Sequence, residues 1–80
     1  MEKELKPVVE ALSELEEDIT VPRNIRMKIN NTITALKENG DLSIKVNKAL
    51  NELDEITEDT NMQSYTRAQI WNVVSMLEKL

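Results

Sequence analysis

Cysteine, histidine and phenylalanine are absent from this 80-residue chain, glycine occurs once and proline twice. Without cysteine there is no disulfide, no thiolate nucleophile and no thiolate metal site, which excludes a stapled secreted scaffold and a zinc module. Without histidine the commonest general base and metal ligand is missing too. A single glycine builds neither a phosphate-cradling loop nor a dinucleotide turn, and no serine lies in a nucleophile-elbow context. Composition therefore gives no reason to expect an enzyme, and no cofactor is expected.

Other absences bear on environment. No apolar run approaches the roughly 20 residues of a membrane-spanning helix. The segment from Met1 to Glu17 interleaves Glu and Lys with its apolar residues, unlike a secretory signal, so the chain is expected to be cytoplasmic. Fifteen acidic against ten basic residues leave a formal charge of −5. That balance repels phosphate backbones at long range, and the amphipathic faces are acidic where a membrane-surface helix would be basic.

What remains is aliphatic. Tyr65 and Trp71 are the only aromatics, so the core is expected to be Leu, Ile and Val. At this length one core is the limit, giving a single domain over residues 1–80 with a thin stability margin. Self-association would relieve it.

Apolar residues recur at helical spacing in four blocks. The first, roughly residues 2–18, aligns Leu5, Val8, Val9, Leu12, Leu15 and Ile19, with Pro7 in its first turn. The second runs from Pro22 through Ile25, Ile29, Thr32, Ile33 and Leu36, and Asn39-Gly40 closes it with a left-handed cap. Asp41 or Ser43 caps the third, which carries Leu42, Val46, Ala49, Leu50, Leu53 and Ile56. The fourth starts near Ser64 or Thr66 and aligns Ile70, Val73, Val74, Leu77 and Leu80. Short connections favour antiparallel neighbours.

An offset of 41 residues aligns 1–39 with 42–80 without a gap. Leu12 falls on Leu53, Glu14 on Glu55, Asp18 on Asp59, Arg26 on Arg67, Ile29 on Ile70 and Leu36 on Leu77. The expected fold is all-α, a compact four-helix domain of two similar antiparallel hairpins. A period near 40, with Asp at the turn and Arg in the next helix, also resembles HEAT-type repeats, so a short HEAT-like stack is the alternative.

Three surface constellations stand out. Asp18 with Arg26, and Asp59 with Arg67, are read as structural ion pairs across each hairpin. Glu14 with Asp18, and Glu55 with Asp59, lie four apart on one helix face, where a divalent cation is one reading and a solvated acidic face the simpler one. Arg23, Arg26 and Lys28 give the second helix a basic start, the basis of an alternative role as a nucleic-acid or ribosome-associated accessory protein, although no aromatics are interleaved for base stacking.

Trp71 lies at the margin of its helix's apolar stripe, where it either widens the buried face or anchors a partner. Tyr65, Met62 and Met76 are expected to extend or line such a patch. The leading functional expectation is a small non-enzymatic interaction module that contacts another protein, or a second copy of itself, around Trp71 and Tyr65.

The string Asp18-Ile19-Thr20-Val21-Pro22-Arg23-Asn24-Ile25-Arg26, with Asn61-Met62, Thr66-Arg67 and Ile70-Trp71-Asn72-Val73-Val74-Ser75, resembles uncharacterised protein family 0147, short archaeal all-helical proteins. The chain departs from that pattern at Thr60 and Gln63, where the family's prolines would stand. The resemblance covers the whole chain, implies a small cytoplasmic four-helix protein of archaeal origin, and carries no activity with it.

Overall fold

Helix starts and stops follow from side-chain chemistry at each junction. The computed structural model describes residues 3–80, so the first residue of the first block, Glu2, lies outside them. A single 3-10 turn, Lys3–Leu5, leads into α1, Lys6–Glu17, with Pro7 in its first turn as expected. There proline's missing N–H costs nothing. Helix α2 spans Arg23–Lys37 with Pro22 as its N-cap, α3 spans Leu42–Thr57, and α4 spans Ser64–Glu78.

Both hairpin turns are built the same way. The Asp18 carboxylate oxygen Oδ1 accepts from the Thr20 amide at 2.9 Å, and Asp59 Oδ1 accepts from the Asn61 amide at 2.8 Å. Each aspartate bends the chain by offering its carboxylate two residues ahead. Four residues into each following helix, Arg26 N donates to Pro22 O and Arg67 N to Gln63 O, both at 3.0 Å. Val21 and Met62, 41 positions apart, turn inward and are buried.

Stopping α1 at Glu17 has a consequence that helical periodicity did not anticipate. Ile19, expected on the stripe, falls in the turn and is 86% exposed, while Val21 takes the buried place.

At the middle junction Asp41 caps α3, its Oδ1 accepting from Ser43 N at 2.8 Å and Ile44 N at 3.4 Å. The expected glycine cap of α2 takes another form. The helix ends at Lys37, Glu38 is already extended, and the buried Lys45 reaches back to donate from Nζ to Glu38 O at 3.0 Å. Gly40 serves the crossing instead, at φ +147°, a conformation that strains any L side chain even though nothing lies within 4 Å of where a Cβ would sit.

Connections at 18–22, 38–41 and 58–63 are too short for anything but antiparallel succession. Each helix packs on its chain neighbours, and α4 closes onto α1. This ring is the four-helix arrangement expected. A HEAT-like stack would instead set α1 on α3 and α2 on α4. The radius of gyration of 11.6 Å matches the roughly 12 Å of a fully compact chain of this length.

The interior is mainly aliphatic. Leu12, Ile25, Ile29, Leu36, Leu53, Ile56 and Ile70 have no exposed surface, and each contributes about 1.5 to 3 kcal/mol by burial. Thr32, inside the same layer, satisfies its hydroxyl by donating to Lys28 O at 2.9 Å.

Candidate functional site

The four residues expected to form a partner surface do not form one patch. Met62 is 5% exposed and belongs to the core, because the turn before α4 folds inward there. Trp71 and Tyr65 are both exposed, at 56% and 70%. Six residues apart on one helix, they point about 120° away from each other. Tyr65 shares its line with Gln69, which donates to its hydroxyl at 3.4 Å, and with Met76.

Met76 lines a groove of about 410 Å³ between α1 and α4, floored by Ala11, Leu15 and Val73 and rimmed by Glu14 and Lys79. Trp71 points about 140° around α4 from Met76, away from that groove. Seven residues further along the flank that carries Trp71 stands Glu78, on the rim of a larger groove of about 650 Å³ between α3 and α4. The floor of this groove is Leu42, Val46, Leu50 and Leu77.

Periodicity assigned Leu42, Val46 and Leu50 to the core, but they are only half-buried. The signal was present: α3 carries more apolar residues than one stripe requires, with Leu42, Val46 and Leu50 forming a second line beside Ala49, Leu53 and Ile56. Leu80, also expected on the core face of the fourth block, is 45% exposed beside the same groove.

The arginine–aspartate pairs take a form different from the one expected. Arg67 donates from Nε to Thr57 O at 3.2 Å and from an Nη to Asp59 O at 2.7 Å, so it caps the last carbonyl of α3 and one in the turn that follows. The Asp59 carboxylate is engaged elsewhere, by Asn61 and, across the two hairpins, by Asn24 Nδ2 at 3.3 Å. Carbonyls left free at a helix end are the better-placed acceptors for the planar guanidinium. Arg26 makes no equivalent contact: its Nε is buried without a hydrogen-bond partner. It acts on Asp18 through space. Thr20's hydroxyl, donating to Asp18 Oδ1 at 2.7 Å, is the main reason that this carboxyl titrates below the ordinary range, followed by Thr20's amide and the positive charge of Arg26.

Of the carboxylates proposed from sequence as cation ligands, Asp18 and Asp59 each use Oδ1 to hold their turns. Among the described residues no group of three or more acidic side chains is placed to hold a metal ion. The basic start of α2 divides as well. Arg23 and Arg26 line a shallow depression with Met27, Asn30 and Glu16. Lys28 lies about 160° from Arg26 around the helix, and Glu16, which accepts from Asn30 at 2.8 Å, brings negative charge to the site.

The family model described as an uncharacterised protein family, UPF0147, matches residues 1–80. The chain belongs to this family. A UPF0147 protein of Methanocaldococcus jannaschii is 44% identical over 80 residues, covering 99% of this chain and 86% of the relative. One from Sulfurisphaera tokodaii is 38% identical over 78 residues, covering 96% and 88%. A UPF0147 crystal structure from Thermoplasma acidophilum superposes with a TM-score of 0.92 at 32% identity, covering 96% of this chain and 92% of that one. The crystal structure of a protein of unknown function, MMP1188, gives 0.91 at 45% identity, covering 96% and 89%. The UPF0147 fold is thus shared across archaeal sequences, and among the described residues no helix is long and apolar enough to cross a membrane.

Proposed function

We propose that this chain is a small non-enzymatic interaction module, working in the cytoplasm, that binds another protein through the α4 edge carrying Trp71. The observation that carries this reading is the exposure of Trp71 itself. A large, rigid aromatic at 56% exposure on a well-packed helix contributes little to the core, yet offers the kind of surface that dominates protein interfaces. Its position supports the same reading, since it shares a flank of α4 with Glu78, on the rim of the α3–α4 groove, rather than with Tyr65. The reading narrows the expected patch to Trp71 and leaves Met62 out.

Tagged protein recovered from native extract tests it, with Trp71→Ala and Tyr65→Ala as parallel baits. Loss of a specific partner with Trp71→Ala, at unchanged melting temperature, is the expected result. Equal recovery by the wild type and Trp71→Ala would refute the reading.

A further inference from the structure

The two ends of the 41-residue offset differ in one seam. Between α1 and α2, Leu5 and Val9 are buried at 0% and 5%, and Asn30 closes the edge by donating to Glu16. At the corresponding places between α3 and α4 stand Val46 and Leu50, both half-buried, and Trp71, exposed. Where the first seam ends in the polar Asn39, the second has Leu80. One seam buries its apolar residues and keeps only a shallow depression with a polar and charged edge. The other leaves Val46 and Leu50 half-exposed along a groove floored by leucine and valine, with Trp71 exposed on the same flank of α4 as its rim residue Glu78.

From this contrast, and resting on the reading of Trp71 above, we infer that the α3–α4 groove receives one amphipathic helix from another protein, apolar along one line and basic on its flanks. The length fits: Leu42, Val46 and Leu50 extend about 12 Å along α3, close to the roughly 11 Å spanned by side chains at i, i+4 and i+7 of a partner helix. The charge selects the flanks. Among the groove's lining residues the only charged ones are Asp41 and Glu78, both acidic, and Asp54 extends the α3 ridge one turn beyond Leu50. A second copy docked on the same groove by two-fold symmetry would set one acidic-edged groove against another and add the repulsion of two chains at −5 each. A basic helix meets neither obstacle.

The probe is a synthetic helical peptide with leucines at i, i+4 and i+7 and lysines elsewhere, titrated into the full chain while Trp71 fluorescence is followed. A leucine/glutamate peptide and a serine/lysine peptide of the same length serve as controls. Expected is a saturable blue shift with the leucine/lysine peptide alone, weakening as salt rises. Affinity should fall about tenfold or more in Leu50→Lys and in the fully surface-borne Glu78→Lys, and stay unchanged in Ile19→Ser at the opposite end. Glu78→Lys keeps the test decisive if Leu50→Lys does not fold. Equal binding of either control peptide, indifference to Glu78→Lys, or a dimer of the chain that Leu50→Lys dissolves would each overturn the inference. If Trp71→Ala abolishes capture of a native partner while the leucine/lysine peptide does not bind, the interaction reading survives and the basic-helix inference does not.

Discussion

Arg67 donates to the main-chain oxygen of Asp59 at 2.7 Å while the Asp59 carboxylate is held by Asn61 and Asn24. The guanidinium therefore ties α4 to the end of α3 by capping carbonyls, a charged hydrogen bond in a half-buried place. Arg26, 41 residues earlier, has no such acceptor for its Nε. Arg67→Met should accordingly cost about 1.5 to 3 kcal/mol in urea unfolding, and Arg26→Met less than about 1 kcal/mol. Equal losses at the two positions would show that the carbonyl cap is not what Arg67 contributes.

Asp41 offers a second, independent check on the junctions. Its carboxylate holds two amides at the start of α3, so Asp41→Ala should lower stability by about 1 kcal/mol, and Asp41→Asn by markedly less. Thermal melts of the two variants measure the difference.

Acid unfolding tests the first hairpin turn. Thr20's hydroxyl and amide, with Arg26 nearby, hold the Asp18 carboxyl below the ordinary aspartate value of 3.8. A depressed value in the folded state means that the ionised carboxylate is favoured by folding. Its contribution is fully present above pH 3.8 and is lost as pH falls below that through the lower folded value. Thr20→Val removes the largest cause, so the Asp18 carboxyl resonance should titrate closer to 3.8 in NMR.

Two large side chains near α4 should behave oppositely. Met62, buried in the core, should cost about 2 to 5 kcal/mol when changed to Ala, whereas Trp71→Ala should stay within about 1 kcal/mol of wild type. Calorimetry distinguishes them, and a large loss at Trp71 would place it in the fold instead of on a binding surface.

Those two residues also mark where sequence reasoning succeeded and where it stopped. Helical spacing located all four helices, and Pro7 and the pair of cap candidates Asp41 and Ser43 brought two starts to within a few residues, because period and cap chemistry are local properties. Trp71 was placed at the margin of its stripe by the same geometry. Met62, Val21 and Ile19 were misjudged or missed because each lies in a turn, where burial depends on the path of the chain rather than on a period. The open α3–α4 groove was hidden for another reason: half-buried Val46 and Leu50 carry the same letters as core residues, and only the spacing between two packed helices separates them. The capping role of Arg67 likewise needed the free carbonyls of Thr57 and Asp59, which a side-chain pattern does not display.

Closure of the ring by α4 against α1 also has a meaning in time. Every other seam joins helices adjacent in the chain, whereas this one links the first and last, and each doubling of the intervening loop adds about 0.6 kcal/mol to the entropy of bringing its ends together. That seam is also where the groove of about 410 Å³ leaves packing incomplete. Late assembly and early opening should coincide there: under native-state deuterium labelling, amides of α1 and α4 that face each other should exchange before those between α2 and α3, so the molecule breathes along its longest covalent detour.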